Sequence, residues 1–208
     1  MMKKTLIPVA KQQNDSLEKI DQFQGSINCN NWDYPTDTKV DFTIHHGGQS
    51  IYLNYDVAES YTKALYSQIN EPVWEDSCVE FFISFDGKYY YNFEFNCIGN
   101  VLGGYGNGRR DRKMISPKIL QSINTFPSLG RSPIDLGATH SKWSLEIVIP
   151  LEAFAFDRIE SFNQLNAYMN LYKCGDKLQK PHFLSWQPIS VATPDFHLPA
   201  FFGYITFE

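Results

Sequence analysis

The stretch CVEFFISFDGKYYYNFEFN, residues 78–96, decides the fold. Val79, Phe81, Ile83 and Phe85 alternate with Cys78, Glu80, Phe82 and Ser84. Beyond Asp86-Gly87, Tyr89, Tyr91, Phe93 and Phe95 alternate with Tyr90, Asn92, Glu94 and Asn96. A period of two sends successive side chains to opposite faces of an extended chain, so both runs read as strands with one apolar and one polar face. Asp-Gly between such runs is a strong local hairpin signal, because glycine enters a tight turn at no steric cost.

The same alternation spreads outward. It recurs at Ile51, Leu53, Tyr55 and Val57, at Trp143, Leu145, Ile147 and Ile149, and at Leu165, Ala167, Met169 and Leu171. Helical periodicity is scarce, limited to a turn or two in SLEKI (16–20) and PLEAFAF (150–156). Many half-buried strands with one or two short helices predict an all-β, single-domain antiparallel β-sandwich over residues 1–208. Residues 1–15 form a candidate disordered tail. The stretch from about 103 to 140, with GGYGNGRRDRK and TFPSLGRSP, reads as a long functional loop.

Composition narrows the function. The 208 residues carry a net charge of -5, and the one basic cluster, RRDRK at 109–113, is short. A nucleic-acid surface needs sustained positive charge, so no nucleic acid is expected. No apolar run is long enough for a membrane helix, and none near the N-terminus suits a signal peptide. The sequence as written therefore reads as cytoplasmic, or as periplasmic or extracellular if a leader has been removed. The cysteines at 29, 78, 97 and 174 are widely spaced, without the pairing of common zinc motifs, and read as free, mostly buried thiols. His45 and His46 are adjacent and would point to opposite faces of a strand. GGYGNG (103–108) lacks the following helix and Lys-Ser/Thr of a phosphate loop.

The positions opposite the apolar ones are chemically biased. They hold Glu80, Asn92, Glu94, Asn96, Glu146, Asn166, Tyr168, Asn170 and Tyr172. Carboxylates and amides pair with hydroxyls, and aromatic rings offer flat apolar faces, which together suit a sugar. A one-sided sheet exposed to water would also show polar alternation.

The run WEDSCVEFFI (74–83), followed by YYYNFEFNCIG (89–99), NLYKCGD (170–176), HFLSWQP (182–188) and PDFHLPAFFGYITFE (194–208), resembles the family 9 carbohydrate-binding modules, over about residues 25–208. The resemblance implies a DOMON-like β-sandwich whose slot clamps a terminal sugar between two aromatic rings while acids and amides read its hydroxyls. By position, Trp74 matches the first ring, Glu80 the carboxylate and Asn170 the strand amide. Phe196 stands where family members have a second tryptophan. The family's arginine has no match on the strand carrying Glu94 and Asn96, which leaves Arg109 or Arg110 as candidates from the loop. Glu94, Asn96 and His197 complete the candidate ligand-binding set.

The same resemblance implies a mono- or oligosaccharide ligand, polysaccharide metabolism of the xylan type, a glycoside hydrolase as partner, a structural calcium ion, and no cofactor required for binding. Two rival readings stand beside it. One is a glycoside hydrolase using Glu80 and Glu94, since paired carboxyl groups are its minimum equipment. The other is a protein-interaction module on the same fold, which would show a broad flat patch rather than a narrow slot. Trp143 has core parity, Trp32 reads as a packing residue in an early loop, and Trp186 fits either a core or a surface role.

Overall fold

A computed structural model describes residues 5–10 and 21–208 of the chain. The helical turn expected at 16–20 lies outside the described residues. The strands run β1 (Thr5–Ile7), β2 (Phe23–Ser26), β3 (Lys39–His46), β4 (Ser50–Ser60), β5 (Lys63–Ala64), β6 (Cys78–Ser84), β7 (Tyr90–Asn96) and β8 (Val101–Gly106). They continue as β9 (Lys113–Met114), β10 (Asn124–Pro127), β11 (Ile134–Asp135), β12 (His140–Pro150), β13 (Asn166–Cys174), β14 (Phe183–Ser185) and β15 (Gly203–Phe207). The helical elements are short: α1 (Pro117–Leu120) and 3-10 turns at Val73–Glu75, Leu151–Ala153 and Pro199–Phe201. Among the described residues no helix is long and apolar enough to cross a membrane.

The larger sheet has eight strands in the order β1-β15-β13-β6-β7-β8-β9, with β14 also on β13. The second sheet orders β10-β12-β4-β3-β2, and β5 and β11 form a small ribbon. Thr5–Ile7, within the tail expected to be disordered, lies parallel to β15. The two larger sheets face each other across one core in which Tyr55, Phe81, Phe93, Ile147 and Leu171 are fully or almost fully buried. Burying such side chains contributes roughly 1.5–3 kcal/mol each, the usual driving force of a sandwich.

The β6–β7 hairpin forms as the sequence predicts, with Ile83 opposite Tyr91 and Gly87 at φ +75° in the turn. Asp86 Oδ1 accepts the backbone N–H groups of Lys88 and Tyr89 at 2.8 Å each, which closes the loop. In β4 and β12 buried and less buried positions alternate as expected for one-sided strands. β6 and β7 do not: all seven residues of each are buried. Their polar face is covered by a second apolar cluster, built from Phe82, Tyr90, Tyr172, Ile189, Phe196 and Phe202 among others. Much of that cover comes from the chain between β14 and β15, which carries no periodicity from which its covering role could be read.

The expected long loop is also more ordered than the sequence suggests. Gly103, Gly104 and Gly106 belong to strand β8. A Cβ on Gly103 would lie 2.5 Å from Leu120 Cδ2, and one on Gly104 2.6 Å from Asn92 Oδ1. Close packing, rather than flexibility, demands glycine there. The polar residues grouped by parity divide in space as well. Glu146 lies exposed on the outer face of the second sheet, and Asn166 is exposed at the start of β13.

Candidate functional site

On the covered face of the larger sheet, registry builds short rows of side chains. Tyr172, Glu80 and Glu94 are direct neighbours across β13, β6 and β7, and Cys174 stands opposite Cys78 in the next row. Over them opens a cleft of about 230 Å³, lined by Trp74, Glu80, Glu94, Arg109, Arg112, Cys174, Asp176, Phe183, Pro194, Asp195, Phe196 and His197. Pockets for drug-sized ligands run about 300–1,000 Å³, so this one suits a single small ring.

Trp74 reaches the cleft from the 3-10 turn at Val73–Glu75 rather than from a strand mouth. Asp76 holds that turn, accepting the N–H groups of Leu65 (3.0 Å) and Tyr66 (3.1 Å) and the Asn96 amide (2.9 Å). The Trp74 carbonyl accepts Asp176 N–H, tying the turn to the loop after β13. The indole itself is only half-buried.

Glu80 and Glu94 form the floor, each 3% exposed. Burial, then the neighbouring Glu94, pushes the Glu80 carboxyl well above the usual range. Glu94 is raised to about 7 by burial, although Arg112 opposes the shift from 3.4 Å. Glu80 Oε1 accepts the Cys174 thiol at 3.0 Å and Glu94 Oε1 accepts the Asn92 amide at 2.9 Å. A neutral Glu80 can donate as well as accept, which widens the hydroxyl patterns the floor can read. Asp176 at the rim is raised to about 6, chiefly by burial. His197 is lowered to about 2 by burial and then by Arg112 and Arg109, and is therefore neutral, with Nδ1 3.0 Å from the Tyr90 hydroxyl.

A pH prediction follows from Glu94. Its folded pKa lies above its unfolded value, so between about 4.5 and 7 the folded state holds more of the proton, and stability falls as pH rises through that window. The expected loss is on the order of 1–3 kcal/mol. Urea unfolding of the wild type and Glu94→Gln at several pH values checks it: the variant's slope should flatten.

Of the expected site residues, Trp74, Glu80, Glu94, Arg109, His197 and Phe196 meet at this cleft. Phe196 is only 8% exposed, however, and its ring stacks on Tyr172 at 4.1 Å and 10°. One of its faces is thus already used, so it serves as a supported wall rather than a free second ring. Asn170 is not in the cleft lining and is 0% exposed. It sits where the edge of β13 passes from β15 to β14, accepting Gln187 N–H at 2.9 Å and donating to Gln187 O at 3.2 Å. It satisfies the backbone at a fork in the sheet. Asn96 is likewise removed from the lining and acts through Asp76 and the Tyr66 carbonyl, at 2.8 Å, to position the Trp74 turn.

Arg112, Cys174, Asp176, Phe183, Pro194 and Asp195 were not foreseen. The RRDRK cluster did signal an arginine from the loop. Arg112 is the member that pairs with Glu94, while Arg110 is exposed and away from the lining. The other tryptophans have structural anchors. Trp143 is 3% exposed and donates to Glu59 at 2.8 Å, Trp32 donates to Val191 O at 2.9 Å, and Trp186 packs against Phe23 and Phe42.

Among the described residues, Cys78, Glu80 and Cys174 place potential metal-ligating atoms within 4.8 Å of one another. Two sulfurs do not suit calcium, which takes six to eight oxygens, so this cluster does not fit the calcium ion that the resemblance implies.

The fold recurs in solved structures. A presumptive carbohydrate-binding protein from Bacteroides uniformis ATCC 8492 is 38% identical, with a TM-score of 0.89, over 99% of this chain and 100% of that one. A family 9 carbohydrate-binding module from Caldicellulosiruptor kristjanssonii, solved with glucose, matches at 15% identity and TM-score 0.54 over 98% of this chain and 96% of that one. Its complex with cellotriose matches at 15% identity and TM-score 0.54, over 99% and 94% of the two chains. No curated protein matches the sequence. The family model for carbohydrate-binding family 9 matches residues 11–207, nearly the full length, and the chain belongs to that family.

Proposed function

We propose that the cleft binds one ring of a mono- or oligosaccharide and leaves it chemically unchanged. The carrying observation is that a half-buried indole, Trp74, opens onto the same small cleft as Glu80, Glu94, Arg109, Arg112 and His197. Sugar rings have apolar C–H faces that stack on indole and a rim of hydroxyls that carboxyl, guanidinium and imidazole groups can bond. Family membership supports this reading, as do the glucose and cellotriose bound by the module from C. kristjanssonii.

Binding without cleavage is favoured by the placement of the acids. Glu80 and Glu94 stand side by side on neighbouring strands of one floor. Glycoside hydrolysis needs two carboxyl groups flanking the scissile bond. The concave slot also suits a small ligand better than a flat protein partner. A xylan-type polysaccharide source and a glycoside hydrolase partner are the finer parts of this proposal, and binding itself requires no cofactor.

Isothermal titration with glucose, xylose, xylobiose and cellotriose, each also in borohydride-reduced form, tests it. Saturable one-to-one binding of at least one sugar is expected, and the reduced forms show whether the slot reads a chain end. Silence across the panel in folded protein would overturn the reading.

A further inference from the structure

The floor of the cleft sets two buried thiols, which sugar recognition does not need, beside the Glu80 carboxyl. Cys78 and Glu80 are two residues apart on β6 and share a face, and Cys174 lies directly opposite Cys78 on β13. All three are at most 3% exposed. The Cys174 thiol points at Glu80 Oε1 from 3.0 Å, and the three ligand atoms lie within 4.8 Å of one another. Tetrahedral zinc, with bonds of about 2.3 Å to sulfur and 2.0–2.2 Å to oxygen, holds its ligands roughly 3.3–3.8 Å apart. Small side-chain adjustments reach that geometry from the observed one.

We infer that Cys78, Glu80 and Cys174 form a three-ligand site for a soft divalent cation of the Zn²⁺ class at the base of the cleft. Two thiolates and one carboxylate select zinc over calcium or magnesium by ligand softness. The spacing hides this from a motif search, because Cys78 and Cys174 are brought together by sheet registry rather than by a short loop. Cys174 and Glu80 line the cleft, so the ion's fourth position opens toward it, the arrangement of a zinc site that exchanges an outside ligand. On binding, the two thiol protons and the Glu80 proton, where present, pass to solvent as two Zn–S bonds and one Zn–O bond form. The cation replaces them in a buried place where bare thiolates would not persist. Arg112, paired with neighbouring Glu94, adds positive charge beside the resulting anionic complex.

Cobalt(II) titration of the intact, reduced protein is the test, since cobalt reports thiolate ligation by its sulfur charge-transfer absorption. One equivalent should bind with that absorption, zinc should displace it, and protons should be released. Cys78→Ser and Cys174→Ser should abolish the band, Cys29→Ser and Cys97→Ser should keep it, and Glu80→Gln should weaken binding by at least about 10- to 100-fold. Absence of thiolate absorption in folded wild type would overturn the inference, whatever the variants do. So would a band that survives both Cys78→Ser and Cys174→Ser. These readouts involve no sugar, so their failure is separable from failure of the carbohydrate reading.

Discussion

Replacing Lys173 by methionine should destabilise the protein by about 3–5 kcal/mol, a large share of the roughly 5–15 kcal/mol that holds a typical domain. Lys173 and Glu59 are both 0% exposed, with Nζ 2.8 Å from Glu59 Oε2. The ammonium also donates to the Cys174 carbonyl at 2.9 Å and lies 2.9 Å from His182 Nε2, while Trp143 donates to Glu59 Oε1. Burial alone would raise the Glu59 carboxyl, but Lys173 and the hydrogen bonds around it outweigh burial and hold it below its ordinary value. His182 is lowered to about 4, first by burial and then by Lys173, and is therefore a neutral acceptor. Removing the lysine leaves a carboxylate buried without its counter-charge.

The informative comparison is the double variant Glu59→Leu/Lys173→Met. Paired apolar replacements of buried ion pairs are often near neutral, so the double variant should recover most of the loss, short of the roughly 1–3 kcal/mol from stranding the Trp143 N–H. A urea double-mutant cycle measures the coupling directly. Additive losses would mean that the pair is not held together in the folded core.

The second large effect belongs to the cleft. Trp74→Ala should weaken sugar binding by about 2 kcal/mol or more, roughly 30-fold in Kd, because stacked aromatic anchors dominate small binding sites. The half-buried ring packs on the second apolar cluster, but the turn's hydrogen bonds come from the backbone, Asp76 and Asn96, so the stability loss should stay at about 1 kcal/mol. Phe196→Ala behaves differently. Its ring is 8% exposed and stacked on Tyr172, so its loss should cost about 3 kcal/mol of stability along with binding. Titration and unfolding of the two variants separate a ligand-facing ring from a supporting one.

How much of this was legible in the sequence depended on whether a residue's role was local. Asp86-Gly87 and the period-two runs of β4, β6, β7 and β12 marked strands and a hairpin because their signals lie within a few residues. Glu80 could be placed because parity and the family resemblance agree there, Trp74 by the resemblance alone and Glu94 by parity alone. Parity also misled. Asn170 and Asn96 lie on the same face as Glu80, yet the fork between β14 and β15 and the turn below Trp74 claim their amides for the backbone. Lys173 shares the core parity of Met169 and Leu171, but no local signal announces its partner Glu59, which lies more than 100 residues earlier in the chain. Arg112 escaped because a loop, not a strand, carries it, and loops have no period to read. The cysteine pair across β6 and β13 is visible only once the sheet order is known.

The most direct test of the account follows the indole N–H resonances during a sugar titration. Each of the four tryptophans should give one signal, assigned by single substitution. Trp143 is bonded to Glu59 in the opposite part of the core, whereas Trp74 opens onto the cleft. Saturating glucose or cellotriose should move the Trp74 signal along a single binding isotherm and leave that of Trp143 in place. A Trp74 signal that stays fixed while the protein demonstrably binds the sugar would contradict the account, because the ligand would then sit elsewhere.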